Sequence, residues 1–442
     1  MIFGFGKKKD EQERQAKEDE DEEVDYVLFQ GALSGKETNL GANARLAQAG
    51  LLPTKEMITD AILRRADQMR IEPKGERALA HLSIDGVLYP SNRLSKQQGH
   101  AVTQMMKLLA GLDIQNRQKP QAGGVRAELQ GTKYVLWVTS TPVQQGGERL
   151  SVKIRNMDQA PTTPEEVGFS KELKAKVREI TSAKKGLFLI CGPANSGVST
   201  TTFGVLRSVD AYQYTIFTVG DPREWELPNV NRFEVNEGED FDSVLVRALR
   251  SEADVIYVDP LRDAATARLV LKRQPDAVFV AEFPAPDAIN GIVQFAKLVG
   301  ANQAAEGLRA LMSQRLIRLL CTKCRMAYRP NPKMLTKIGL PPETKTLYRA
   351  PTQDPKADEA AGPVETCDAC GGNGYMGRTA MFELLEMSEA MRKLTNSGAS
   401  PQDLKSQARQ DGMITLQHEG LKLVVEGKTS LEELQRVFQP KK

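Results

Sequence analysis

Apolar residues recur along this chain at two spacings, and the switches between them mark its elements. Over residues 54–69, Met57, Ile58, Ile62 and Leu63 fall at helical spacing and predict an amphipathic helix. The pattern then alternates. Residues 78–84 and 87–89 form short runs on either side of Asp85-Gly86, and Asp-Gly between alternating runs is a hairpin signal. A helix is expected over residues 96–109. Residues 124–129 and 134–139, joined by Gln130-Gly131-Thr132-Lys133, read as a second hairpin, and residues 150–155 add a strand. Residues 26–158 are thus expected to form a small α+β domain.

A Pro- and Thr-rich linker, residues 159–168, separates this domain from a different pattern. Four apolar runs, residues 187–191, 214–219, 255–258 and 277–280, alternate with helical stretches. Short apolar strands of that kind build a parallel sheet with helices on both faces, so residues 169–320 read as an α/β core. Residues 321–378 are irregular and rich in Gly, Pro and Cys, and residues 379–442 return to amphipathic helices. Residues 10–25 are almost all acidic or polar and have nothing to bury, so residues 1–25 are expected to be a disordered charged tail.

Charge narrows the function classes. The chain has 60 basic and 57 acidic residues, a net charge of +3, which gives no field argument for a direct nucleic-acid partner. No run approaches the roughly 18 to 20 apolar residues of a membrane span. Met1-Ile2-Phe3-Gly4-Phe5-Gly6 precedes Lys7-Lys8-Lys9, an order opposite to that of a secretory signal. His81, His100 and His418 are scattered and form no cluster.

Candidate chemistry lies in two places. Gly192-Pro193-Ala194-Asn195-Ser196-Gly197-Val198-Ser199-Thr200 follows an apolar run and opens a helical stretch, the setting of a phosphate-binding loop. Such a loop has Lys before its Ser or Thr, a point charge for the β- and γ-phosphates, and here Val198 stands there. The second place is a pair of knuckles, Cys321-Thr322-Lys323-Cys324 and Cys367-Asp368-Ala369-Cys370, followed by Gly371-Gly372-Asn373-Gly374. Four thiolates in this pattern suit a closed, structural zinc site. Reduced free cysteines in a reducing cytoplasm are the other reading. Cys191 falls in an apolar strand and is expected to be inert core.

Further motifs carry a family resemblance. Ala66-Asp67-Gln68-Met69-Arg70-Ile71-Glu72-Pro73, Ile84-Asp85-Gly86-Val87, Lys119-Pro120-Gln121 and Gly147-Glu148-Arg149 follow one another in the first half. The loop, Asp221-Pro222 with Glu224, Glu226-Leu227-Pro228, Ala248-Leu249-Arg250, Arg262-Asp263, Gln314-Arg315-Leu316-Ile317-Arg318, the cysteine pairs and Gly374-Tyr375-Met376-Gly377-Arg378-Thr379 follow in the second. In this order they resemble the type II secretion and type IV pilus assembly ATPases. The resemblance implies a RecA-like P-loop NTPase core, a PAS-like α+β domain before it, a four-cysteine zinc module and a C-terminal helical subdomain. It also implies nucleotide at residues 192–200 with Asp221 and Arg262, and a homo- or hetero-hexamer with related ATPases. The place it implies is cytoplasmic, at the inner face of the cytoplasmic membrane, against an inner-membrane platform protein.

The departures from that family gather at the ATP chemistry. Besides Val198, Asn195 replaces a glycine, Gly220 a glutamate before Asp221-Pro222, and Pro260 the glutamate after the strand ending at Val258. Both histidines expected in residues 274–283 are absent, and Trp137 stands where an arginine should reach the phosphates. Losing one charge-stabilising group typically costs about 100- to 1000-fold in rate. The expectation is therefore a catalytically impaired scaffold or regulatory subunit, with ATP and magnesium binding weakened. A working ATPase of rearranged chemistry, using Asp259 or Glu224 and charge lent by Lys184 or Lys185, is one alternative. A nucleotide sensor that does not hydrolyse is the other. Asp221 and Glu224 read equally as nucleotide or metal contacts and as helix caps or surface ion pairs.

Overall fold

A computed structural model describes residues 25–144, 146–159, 163–219, 230–233, 235–236, 238–258, 261, 263–351 and 366–439. The chain divides into two units, Met1–Ala160 and Pro161–Lys442. The first contains β1 (Leu28–Ala32), α1 (Ala44–Leu63), β2 (Ala66–Lys74), β3 (Arg77–Ile84), β4 (Val87–Ser95), α2 (Lys96–Leu109), β5 (Gln121–Leu129), β6 (Thr132–Val143) and β7 (Gly147–Asn156). Its strands form one antiparallel sheet in the order β1-β5-β6-β7-β2-β3-β4. The two helices bury Met57, Ile58, Val102, Met105 and Met106 in a cluster with the sheet residues Met69, Ile71, Leu136 and Val152.

Local chemistry explains most of these elements. Asp85 and Gly86 have φ of 51° and 78°, and Gln130 and Gly131 have 50° and 77°, so both hairpins close on two left-handed residues. The second turn is two residues shorter than the expected four, because Thr132 and Lys133 already pair with Leu129 and Glu128. Ser95 caps α2 in a reciprocal capping box with Gln98.

The first predicted helix needs correction. It spans Ala44–Leu63 and carries Pro53 in its interior, and residues 66–74 are a strand. Arg65, at φ 58°, ends the helix. A bulge between Ala66 and Gln68 shifts the phase of β2, so its buried positions Ala66, Met69 and Ile71 do not keep a simple alternation.

The second unit runs α3 (Pro164–Val167), α4 (Lys171–Thr181), β8 (Gly186–Gly192), α5 (Val198–Ser208), β9 (Ile216–Val219), β10 (Asn231–Phe233), α6 (Phe241–Arg250), β11 (Val255–Val258), α7 (Ala264–Arg273), β12 (Val278–Pro284), α8 (Ala288–Val299), α9 (Ala301–Gly307) and β13 (Leu308–Leu320). It continues through β14 (Met326–Tyr328), α10 (Pro332–Ile338), β15 (Leu347–Arg349), β16 (Tyr375–Glu386), α11 (Glu389–Asn396), α12 (Pro401–Gln410), α13 (Leu416–Val425) and α14 (Leu431–Phe438). The main sheet has the order β10-β9-β11-β12-β8-β13-β16 and is parallel except for β16, which is antiparallel to β13. Separate apolar clusters cover its two faces, one around Leu189, Phe279 and Phe295 and one around Phe188, Ile190 and Phe203.

The end of this unit departs from the expected pattern. Residues 379–386, expected to be helical, belong to β16, whose partner β13 escaped notice among the polar residues Ser313, Gln314, Arg315 and Arg318. Ser313 and Gln314 are buried even so, and Gln314 is accommodated by its bonds to the Ser196 carbonyl and the Thr201 hydroxyl.

Candidate functional site

β8 is buried along its whole length between β12 and β13, and its last residue opens the glycine-rich loop. A Cβ on Gly192 would lie 2.3 Å from Ser196 Oγ and 2.7 Å from Val198 Cγ2, so only glycine fits there. Asn195 and Gly197 are left-handed, at φ 63° and 82°. The expected crowding by Asn195 is thus local strain: the residue keeps a glycine-like backbone, which asparagine tolerates better than most, and its side chain is exposed. The Ser196 amide donates to the Pro193 carbonyl at 3.1 Å and closes the turn.

Gln314 of β13 staples the loop from below. Its amide nitrogen donates to the Ser196 carbonyl at 2.5 Å, and its carbonyl oxygen accepts from the Thr201 hydroxyl. Helix α5 begins at Val198 with no side-chain cap, so no capping side chain covers the amides of its first turn. Ser196 Oγ is buried and has no hydrogen-bond partner. Pro193, Ala194 and Ser199 are exposed, Thr200 is half-buried, and the Thr202 hydroxyl returns to the Val198 carbonyl at 3.0 Å. The backbone of an anion cradle is present.

The side-chain charges differ from the cradle. Val198 is half-buried and packs against the edge of the apolar cluster around Phe188 and Phe203, so the lysine position carries an apolar side chain turned to packing. The Ser199 hydroxyl donates to Glu282 Oε2 at 3.2 Å. Glu282 stands on β12 between the strands of the loop and of β11, paired in register with Ile190. The Leu261 amide donates to its carbonyl at 3.1 Å and ties the segment after β11 to the same point. In the sequence Glu282 is hidden by the missing histidines of this stretch, which draw the eye away from it. A lone acid ending an apolar strand beside the loop was the available signal.

Gly220, Asp221, Glu224, Asp259, Pro260 and Arg262 lie outside the described residues. Asp263 caps α7, accepting from the Thr266 amide at 2.8 Å and hydroxyl at 2.9 Å, bonds that hold its carboxyl below the usual range. Lys184 and Lys185 are exposed at the opposite end of β8, about 20 Å from the loop by strand length, so neither can lend it charge. In the first unit, Trp137 stands opposite Gly124 on β5, and its indole nitrogen is buried without a partner.

The cysteines do come together. Cys321 and Cys324 follow β13, Cys367 and Cys370 precede β16, and the β13–β16 ladder joins the two knuckles. All four sulfur atoms lie within 4.8 Å of one another, a set that could hold a metal ion. Cys321 Sγ is 3.9 Å from Cys367 Sγ and Cys324 Sγ is 3.7 Å from Cys370 Sγ, too far for the ~2.05 Å of a disulfide. The Cys321 amide donates to the Gly374 carbonyl, and the Gly374 amide to Cys370 Sγ at 3.3 Å. Backbone amides of Cys370 and Ala369 pull the Cys367 thiol down to about 7. Cys191 is fully buried, which pushes its thiol far up and agrees with an inert core residue.

Comparison with known proteins follows the same lines. The sequence model of the type II/IV secretion system protein family matches residues 48–436. The type IV pilus assembly ATPase PilB of Thermus thermophilus is 31% identical over 384 residues, covering 86% of this chain and 42% of the relative. The same-named protein of Myxococcus xanthus is 28% identical, with 86% and 66% covered, so the chain spans less than two thirds of either relative. Type II secretion system protein E of Dickeya dadantii is 28% identical, with 86% and 74% covered. Among solved structures, the Legionella pneumophila ATPase DotB superposes with a TM-score of 0.56 at 15% identity, covering 88% of this chain and 95% of its own. The pilus retraction motor PilT with bound ADP gives 0.50 at 20%, with 87% and 96% covered. The fold is that of P-loop ATPases. Among the described residues no helix is long and apolar enough to cross a membrane.

Proposed function

We propose, given that this chain belongs to the type II/IV secretion system protein family, that it is a catalytically impaired member of a pilus-assembly or secretion motor. It serves as a scaffold or regulatory subunit at the cytoplasmic face of a membrane machine. It joins a hexamer, its own or one shared with active relatives, and contacts an inner-membrane platform protein. One observation carries the reading: the loop keeps its backbone while a half-buried Val198, packed against an apolar cluster, stands where a phosphate-binding lysine would be. Phosphoryl transfer depends on positioning and charge, and the loop keeps the backbone that positions phosphates without the lysine that would stabilise their charge.

The cysteine cluster is read as a structural zinc site. Zn–S bonds of about 2.3 Å in a tetrahedron place sulfurs about 3.8 Å apart, and the observed 3.7 and 3.9 Å agree with that spacing. Four protein ligands leave no open position, so the ion would hold the β13–β16 end together and take no part in chemistry.

The test is phosphate release from ATP and magnesium by the full chain. The expected result is release at the background rate. Turnover at a rate ordinary for a motor ATPase, abolished by Ser199→Ala, would overturn the reading. Glu282 favours the second reading, an ATPase with rearranged chemistry, because it returns a carboxylate to the site. That reading requires turnover that falls in both Glu282→Gln and Asp259→Ala.

A further inference from the structure

The sheet of the first unit has two unlike faces. α1 and α2 cover one of them, burying Met69, Leu136 and Val152. Strand residues alternate between faces, so the positions beside these point the other way, where no helix of the unit lies among the described residues. That open face carries Arg70, Arg93, Arg126, Lys133, Arg149 and Lys153, spread over β2, β4, β5, β6 and β7. Glu72 and Glu128 stand among them, and both are engaged. Glu72 lies 2.8 Å from Arg149 and 3.8 Å from Arg70, and Glu128 accepts from Gln30 at 2.6 Å. Arg93, Arg126 and Lys153 are exposed and make no ion pair among the described residues, and Arg70 Nε is buried without a hydrogen-bond partner. One-sided charge of this kind attracts a polyanion.

The chain carries such a polyanion next to the sheet. Residues 10–25 hold ten carboxylates against Arg14 and Lys17, and Glu18-Asp19-Glu20-Asp21-Glu22-Glu23 is an unbroken run. That run ends five residues before Leu28, where the edge strand β1 begins. At about 3.3 Å per residue it has roughly 16 to 33 Å of reach, and β7 lies only about 14 Å from β1 across β5 and β6. Single exposed ion pairs are weak, but the covalent tether holds the run at an effective concentration of about a millimolar, where several weak pairs act together.

We propose that the acidic run 18–23 docks on the open sheet face of its own chain, over Arg126, Lys153 and Arg70, and keeps that face from other polyanions. The contact is electrostatic, so it is released by salt and depends on no single pair. It is also independent of whether the glycine-rich loop binds or turns over nucleotide.

The experiment treats the full chain with a water-soluble carbodiimide, which joins a carboxylate to a lysine amine in direct contact, and maps the links by mass spectrometry. Links from residues 18–23 to Lys153 and Lys133 are expected at a yield independent of chain concentration. The yield should fall at least about fivefold from about 50 mM to about 0.5 M salt. Lys55 and Lys96, on the helix side, should take no link from this run. Arg126→Glu should cut the Lys153 link at least about threefold. The links should persist with an equimolar single-stranded oligonucleotide, because the tethered run outcompetes it. No link to the face, equal links to Lys55 and Lys96, a yield unchanged by salt, or an intact Lys153 link in Arg126→Glu would each overturn the proposal. A yield that rises with chain concentration would make a second copy the donor, and loss of the links to oligonucleotide would make nucleic acid the occupant. Either result also overturns it. The wild-type arms need no variant to fold.

Discussion

The glycine-rich loop and the cysteine cluster are reached by the same strand. β13 staples the loop through Gln314, and about 20 Å further on, just past its last residue Leu320, comes Cys321. The two sites have kept different things. The cluster has all four of its ligand side chains within 4.8 Å, while the loop has its backbone turns and none of the lysine charge. The contrast teaches that a loop's shape and a loop's chemistry are separately encoded. The shape follows from Gly192, Gly197, Gln314 and a left-handed residue at 195, all of which serve packing. The charge resides in side chains that packing does not need, so Val198 could turn to the edge of an apolar cluster without disturbing the turn.

If the cluster is the more binding constraint on the fold, Cys370→Ser should have the largest effect. It should lose bound metal, measured by elemental analysis, and cost at least about 4 kcal/mol in denaturant unfolding. Full stability without metal would reverse the comparison.

Glu433 tests the strand between the two sites. Its buried carboxylate accepts from Arg318 Nε at 3.0 Å and from Arg436 Nε at 2.7 Å. Burial pushes its carboxyl up, but the bonds from Arg436 and Arg318 outweigh that and hold it below its ordinary value of 4.5. A depressed carboxyl contributes stability above the unfolded value that is lost as pH falls through the folded one. Glu433→Gln should therefore cost about 3 kcal/mol at neutral pH. The melting curves of variant and wild type should draw together as pH falls below 4.5 and through the depressed folded value, and a constant gap down to acid would refute the ion-pair account.

In the loop itself, Gly192→Ala should cost about 2 kcal/mol, since Ser196 and Val198 must both move. The smallest effect belongs to Asn195→Gly. Relief of its positive φ and the added freedom of the unfolded chain nearly cancel, so unfolding should change by less than about 1 kcal/mol. A large gain would mean that the loop stores real strain at Asn195.

How much was legible beforehand varied with the physics of each segment. β11 and α2 begin and end where the pattern placed them, because a buried parallel strand is continuously apolar and a capping box fixes a helix start. The helix read over residues 54–69 failed at the bulge in β2, where one extra residue hides the alternation. β16 was missed because it mixes Arg378 and Glu383 with apolar residues. Glu383 is buried there, accepting from the Ala288 amide at 2.8 Å and the Leu416 amide at 3.2 Å, which no local pattern announces.

The sequence alone determined the glycine-rich loop, the absence of its lysine and the two Cys-x-x-Cys knuckles, since each is a matter of residue type at short spacing. Only the tertiary structure decided that the knuckles meet, because that depends on β13 and β16 pairing antiparallel across a long excursion of the chain. It alone decided that Glu282 lies on Ser199, since the two stand 83 residues apart and meet only where β12 lies beside β8. Side-chain charge is written locally, but the partner of each charge is set by strand order.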